Sequence, residues 1–226
     1  MTEKRAKDKV LDAGEAIRRT VFDGATVMVG GFGLVGKPLT LVTALNESPC
    51  RDLTIVSNNL GEAGKYLGRT LELGKVRRAI GSFFTSNPDV ARAHAEGRLE
   101  VTLVPQGTFA EAMRAGGAGL GGFYTPTGVG TLLAAGREIR RIAGKDYLFQ
   151  EPITADVALV RAHRADLLGN LVYYKTARNF NPLMASAART VVAEVDEIVE
   201  VGGLDPELIA TPHLYVDHLV LAKERL

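Results

Sequence analysis

Residues 23–38 read DGATVMVGGFGLVGKP, and this stretch restricts the possible folds more than any other. Val27, Met28 and Val29 are apolar with no polar alternation, as a strand covered on both faces requires. Gly30, Gly31, Phe32 and Gly33 follow directly, then Gly36, Lys37 and Pro38, then an apolar-periodic segment over 39–45. The order is strand, glycine turn, helix, with Pro38 where a first helical turn tolerates proline. Lacking Cβ atoms, the glycines let a ligand or a partner chain come close to the backbone. Open α/β sheets place their ligands at such turns, on the carboxyl edge of the strands.

The letters Gly31-x-Gly33-x-x-Gly36 also fit a dinucleotide fingerprint, but such a match is weak alone. NAD binding further needs an acid at the end of the second strand. Here the second strand, 53–56, runs into Ser57, Asn58 and Asn59, so amides stand where the ribose-binding acid belongs. A tight turn that only packs helix on sheet is the remaining alternative.

Alternation of strand and helix continues to about residue 115. Val10, Ala13, Ile17 and Val21 recur at helical spacing and open the chain with an amphipathic helix. A short apolar stretch lies at 79–81. Asn87-Pro88-Asp89 is a helix start: a capping side chain, proline at the first position, and an acid near the positive end of the dipole. That helix stops at Gly97. The next strand, 99–104, alternates Leu99, Val101 and Leu103 and delivers Pro105-Gln106-Gly107-Thr108, with Thr108 as the cap of a helix ending at Gly116-Gly117. Seven glycines then crowd into 116–130, a loop of the kind that is functional or an interface. A hairpin is expected over 137–149, turning at 143–146. Strands follow over 155–162 and 190–195, with a turn and short strand at 166–174, a helix over 182–188, and a last strand over 214–221. The pattern predicts an α/β fold: an open, mainly parallel sheet flanked by helices, with a glycine-rich loop and a hairpin insertion. No linker splits it, so residues 1–226 are expected to form a single unit.

Several function classes lose support. Lys+Arg 27 against Asp+Glu 26 gives no electrostatic argument for nucleic acid or an anionic membrane. No apolar run approaches the ~18 residues of a membrane span. The first residues, MTEKRAKDKV, have no apolar core of a secretory leader. Cys50 has no second cysteine to pair with, which suits a reducing cytoplasm, and between Pro49 and Arg51 it has no organised base and reads as structural. His94, His163, His213 and His218 show no metal-ligand spacing, so no metal site is expected.

Three strand ends carry the candidate chemistry. Asn58 and Asn59 offer donors and acceptors, but adjacent side chains diverge, so at most one is expected to point fully into a site. A turn that exploits asparagine's left-handed dihedrals is the plainer reading. Gln106 ends the strand 99–104 on the same sheet edge, and Gly107 beside it permits close approach. A neutral amide N–H suits a developing oxyanion, because it stabilises charge without titrating. Glu62 and Glu151 are the carboxylates nearest this edge, and neither sits in a glycine-framed turn. No nucleophile elbow or P-loop occurs. The edge is rich in donors and lacks a nucleophile, which is what half of an active site looks like.

These segments resemble a known family. Asp23-Gly24-x-x-Val27-Met28-Val29-Gly30-Gly31-Phe32-x-x-x-Gly36-x-Pro38 is similar to the signature of the family I coenzyme A transferases, in their alpha chain. Val56-Ser57-Asn58-Asn59, Pro105-Gln106-Gly107-Thr108, the 114–119 segment Arg-Ala-Gly-Gly-Ala-Gly, and Ala177-Arg178-Asn179-Phe180-Asn181 resemble the 3-oxoacid CoA-transferases in the same order. Val35, Lys37 and Leu39 depart from it, standing where members often have Cys, Ile and an acid. The resemblance implies a ping-pong transfer of CoA from succinyl-CoA, or another acyl-CoA, to a 3-oxoacid such as acetoacetate. The nucleophilic glutamate would lie on a separate beta chain, in a Ser-Glu-Asn-Gly block that this chain lacks. It implies a heterodimer or heterotetramer in the cytoplasm, no tightly bound cofactor, and a CoA thioester as substrate. Gln106 would be the oxyanion donor, and Asn58 and Asn59 would position the acyl group or the glutamate. Gly30, Gly31, Phe32, Gly33, Gly36 and Gly107 would border the substrate. A sugar-phosphate isomerase and a non-catalytic scaffold of the same fold are the alternatives.

Overall fold

A computed structural model describes residues 9–223. The first helix, α1 (Ala13–Thr20), is capped by Asp12, whose Oδ1 accepts from Glu15 N at 2.8 Å. It begins later than the periodicity implied. Val10 is no part of it and forms a parallel bridge with Leu219 instead. The chain then alternates through β1 (Thr26–Val29), α2 (Leu39–Glu47), β2 (Leu53–Val56), α3 (Tyr66–Glu72), β3 (Val76–Gly81), α4 (Pro88–Ala95), β4 (Glu100–Leu103) and α5 (Gln106–Gly117). A second run adds β5 (Phe123–Thr125), β6 (Ile139–Ile142), β7 (Lys145–Gln150), β8 (Ala155–Asp166), β9 (Leu171–Val172), α6 (Asn181–Ala187), β10 (Ala188–Val199) and β11 (His218–Leu221).

The main sheet has the order β11-β10-β8-β1-β2-β3-β4, every neighbour parallel, with β9 antiparallel on β8. This is the expected open, mainly parallel α/β sheet. Strand residues alternate between its two faces. Val27, Val29 and Ile55 pack with Ile17, Leu41, Leu45, Leu67 and Val90 from α1 to α4. Met28, Val56 and Ala158 pack with Phe109 and Met113 of α5 and Met184 of α6 on the other. Both faces are covered, which is why 27–29 carries no polar residue. Among the described residues no helix is long and apolar enough to cross a membrane.

The hairpin insertion is β6–β7, joined at Ala143 (φ 48°) and Gly144 (φ 80°) with Ile142 paired to Lys145. Two left-handed residues in a two-residue loop match the right-handed twist of the strands. The glycine-rich segment supplies β5, which pairs with β7 to complete a three-stranded antiparallel sheet.

Four expectations need correction. Leu99 is buried and Leu103 is half exposed, because β4 is the sheet's edge and its alternation does not separate core from solvent. Thr108 does not cap α5 from outside: the helix begins at Gln106 after Pro105, and Thr108 is buried in its first turn. Pro38 precedes α2 rather than occupying its first position. The strands at 155–162 and 190–195 are far longer than the apolar runs suggest. Their charged residues pair across the ladder, Arg161 with Glu194 and Arg164 with Glu197 at 2.8 Å, so polarity does not end them.

Candidate active site

β1 has β2 on one side and β8 on the other, so the strand order reverses there. In an open parallel sheet, a crevice opens outside the carboxyl ends at that reversal. Gly30 begins the turn there, its N–H donating to Leu159 O at 3.0 Å. Phe32 and Val35 bridge each other antiparallel, making residues 31–36 a small hairpin, and α2 starts only at Leu39, after Lys37 and Pro38, so no glycine of the turn opens it. That disposes of the dinucleotide reading, in which the glycines must open a helix onto the pyrophosphate.

The 175–181 segment straps this hairpin down. Asn181, fully buried, donates from Nδ2 to Gly36 O (3.0 Å) and Ala177 O (2.9 Å) and accepts at Oδ1 from Arg161 N (2.9 Å). Asn179 Nδ2 donates to Val35 O at 3.0 Å. A Cβ at Gly30 would lie 1.8 Å from Asn181 Oδ1, and one at Gly36 would lie 2.4 Å from Ala177 O. These two glycines are therefore fixed by packing inside the chain. Around Gly33 and Gly107 no atom of the described residues, their own chain neighbours and local helix backbone aside, lies within 4 Å of the Cβ position, so the space beside them is open.

A cavity of about 470 Å³ lies against the turn, lined by Phe32, Gly33, Asn58, Asn59, Ser82 and Gln106, with Glu62 and Phe83 on its walls. Sequence-chosen residues from β1, β2 and α5 thus meet in one cavity. Gly30, Gly31, Gly36 and Gly107 do not line it; the first three shape the turn, and Gly107 lies in the first turn of α5. Both asparagines border the cavity. Their polar ends are engaged all the same. Gly61 N donates to Asn59 Oδ1 (2.8 Å), Asn59 Nδ2 to Asn58 Oδ1 (2.9 Å), and Asn58 Nδ2 to Ser82 Oγ (2.9 Å) and Gln106 Oε1 (3.2 Å). Ser82 Oγ adds a bond to Gln106 Oε1 at 3.3 Å. Gln106 is exposed, at the dipole-positive end of the 12-residue helix α5.

Ser82 was not singled out from sequence. It arrives because Gly81 lets β3 end tightly against β2: Ser82 N and Phe83 N both donate to Asn58 O, at 3.2 and 3.0 Å. A Cβ at Gly81 would stand 2.1 Å from Ser57 O and 2.9 Å from Phe84 Cζ. Gly81→Ala is expected to push the two strand ends apart, costing about 1–3 kcal/mol of stability as overpacking does, and to lower turnover with it. A urea midpoint unchanged from wild type would show that this close approach is not required.

Glu62 is well exposed and paired with Lys65 at 3.1 Å. Glu151 lies elsewhere, near Gln150 and Arg137. Cys50 is buried and its thiol donates to Val21 O at 3.3 Å. His94 bonds Leu99 O, and His163 bonds Asp196 at 3.0 Å. Among the described residues no group of three or more His, Cys, Asp or Glu is placed to hold a metal. The cavity wall can donate hydrogen bonds and shape an apolar slot, but it has no hydroxyl or carboxylate activated by a neighbouring base.

The sequence has close relatives. It is 50% identical over 210 residues to the A-type subunit of the succinyl-CoA:3-ketoacid coenzyme A transferase of Xanthomonas campestris pv. campestris (strain B100), covering 93% of this chain and 87% of that protein. It is 48% identical over 202 residues to the alpha subunit of the acetate CoA-transferase of Escherichia coli (strain K12), covering 89% and 92%. The fold superposes on an acyl-CoA transferase from E. coli O157:H7, solved as its thioester complex with CoA, with a TM-score of 0.86 at 22% identity. That match spans all of this chain and 49% of the other, so the present chain has about half its length. The model of the coenzyme A transferase family matches residues 10–222, almost everything from the bridge at Val10 to the end of the last strand. With a parallel sheet whose amide-lined crevice falls on the family's own segments, this chain is a member of the coenzyme A transferase family.

Proposed function

We propose that the whole chain works as the alpha subunit of a 3-oxoacid CoA-transferase, moving CoA from succinyl-CoA, or another acyl-CoA, to a 3-oxoacid such as acetoacetate. The observation that carries this reading is the convergence of Asn58, Ser82 and Gln106 on one cavity wall that holds no activated nucleophile. The names of its relatives support a second type of chain in the enzyme. That beta subunit supplies a glutamate whose carboxylate attacks the thioester carbonyl. The C–S bond breaks, CoA leaves as the thiolate, and a mixed anhydride remains. The thiolate then attacks the glutamyl carbonyl of that anhydride, releasing the donor's carboxylate and leaving a glutamyl-CoA thioester. The acceptor carboxylate runs the same steps in reverse. One difficult exchange becomes two easier ones.

In this scheme Gln106 Nε2 donates to the oxygen that gains charge at each tetrahedral centre, and Asn58 and Asn59 form the wall behind it. Phe32, Phe83 and the Gly33 turn make the apolar side of the slot, and CoA enters only as substrate. The complex is hetero-oligomeric and cytoplasmic.

The test is incubation of the chain with its beta partner and acyl-CoA, followed by intact mass measurement. A CoA-sized adduct on the beta partner, and no turnover by the present chain alone, is expected. Full turnover by the present chain alone would overturn the reading, and ribose-5-phosphate turnover without a partner would replace it with the isomerase.

A further inference from the structure

The hydrogen bonds around Gln106 have a direction that can be traced from a backbone atom. Carboxamide oxygen and nitrogen are told apart by the network they join. The Gly61 N–H is a donor and nothing else, so the atom of Asn59 it meets at 2.8 Å must be Oδ1. The other end of Asn59 is therefore Nδ2, and what it meets at 2.9 Å must be Asn58 Oδ1. Asn58 then presents Nδ2 to both Ser82 Oγ at 2.9 Å and Gln106 at 3.2 Å. A donor facing Gln106 forces its Oε1 inward. Ser82, having accepted from Asn58, uses its hydroxyl hydrogen for the same Oε1 at 3.3 Å. Two donors hold the oxygen, and the NH2 end is left toward the cavity.

Flipping Gln106 would set Nε2 against Asn58 Nδ2, two donors at hydrogen-bond distance. Restoring a match would need Asn58 and Asn59 to flip as well, ending with an amide N–H2 against the Gly61 N–H. Asn58 and Asn59 are both nearly fully buried, so water does not relieve that clash. Gln106 itself is exposed, with a long side chain and free rotamers.

We propose that Ser82 and Asn59 are positioning residues in a relay running from the Gly61 N–H through Asn59 and Asn58, which fixes the Gln106 carboxamide with its N–H2 turned to the reacting oxygen. The proposal rests on Gln106 being the oxyanion donor. Neither Ser82 nor Asn59 donates to the substrate in this scheme; each acts only through Gln106.

A double-mutant cycle in the assembled two-chain enzyme tests it, with succinyl-CoA and acetoacetate as substrates. In the wild-type background Ser82→Ala and Asn59→Ala should each lower kcat about threefold to tenfold, the worth of one hydrogen bond, with KM little changed. In the Gln106→Ala background the same substitutions should leave kcat unaltered, since no amide remains to be aimed. Ser82→Thr, which keeps the hydroxyl, should restore wild-type kcat within about twofold. Equal losses in both backgrounds would mean a structural role and overturn the relay while leaving Gln106 in place. An unaltered kcat in Gln106→Ala itself would instead remove Gln106 from the mechanism, and the relay with it. If Ser82→Ala fails to assemble, the Asn59→Ala arm of the cycle decides between the same outcomes.

Discussion

Gln106→Ala, assembled with its beta partner, should lose about 10² to 10³ in kcat, the typical cost of removing one oxyanion donor. KM should change little, because the bond strengthens only as the carbonyl oxygen gains charge. The size of the loss follows from the geometry. Gln106 opens α5, so its donor adds to the positive end of a helix, and its amide oxygen is held by Asn58 and Ser82. A donor already aimed spends no reorganisation at the moment of reaction. Gln106→Glu should be at least as damaging, since it keeps the shape but turns a donor into a carboxylate facing a developing negative charge. Steady-state kinetics with both substrates saturating, alongside a check that the two chains still associate, decides the matter. A kcat within about twofold of wild type for Gln106→Ala would take this residue out of the chemistry.

Much of this cavity could be read from the sequence, and the reasons are local. Apolar letters, unbroken at 27–29 and interrupted only by Thr54 at 53–56, mark strands covered on both faces, and whatever follows such strands lies on one edge. That is enough to bring Phe32, Asn58 and Gln106 together. Ser82 escaped notice because what places it is Gly81, a glycine that allows two strand ends to touch, and no single-strand pattern reports a contact between strands. Asn181 escaped a physical reading for a similar reason: an asparagine in a helical start looks like a surface cap, yet it is fully buried and ties three segments together. β8 and β10 run past the ends expected at 162 and 195 because Arg164 and Glu197, which lie beyond them, read as exposed charges. Their partners lie across the ladder, far along the chain. Leu103 and Val10 show the opposite error, apolar letters given a periodic meaning that an edge strand and a bridge do not honour.

Lys37 gives the second large effect. It is fully buried at the foot of the glycine hairpin. Its Nζ has one weak contact, to Ser57 Oγ at 3.5 Å, and that hydroxyl is itself bonded to Val29 O. Among the described residues no carboxylate compensates the charge, and loss of hydration lowers its pKa from the ordinary 10.5 to about 8. A depression of that size corresponds to about 3 kcal/mol. The sign follows from proton counts. Below pH 8 the amine is protonated in both folded and unfolded chains, so the full burial penalty weighs on the native state. Between about 8 and 10.5 the native amine has lost its proton and the unfolded one has not, so stability rises with pH across that window. Above it the penalty is gone. Lys37→Met keeps most of the volume without the charge, and should raise stability at pH 7 by about 3 kcal/mol. Urea unfolding at about pH 7 and about pH 9.5 separates this from other titrations, because Lys9 and Lys75, also lowered by burial, are common to both chains. The advantage of the methionine variant should shrink by about 2 kcal/mol between the two conditions. An advantage that is absent at pH 7, or the same size at both, would mean that the amine finds partners or water that this packing does not provide.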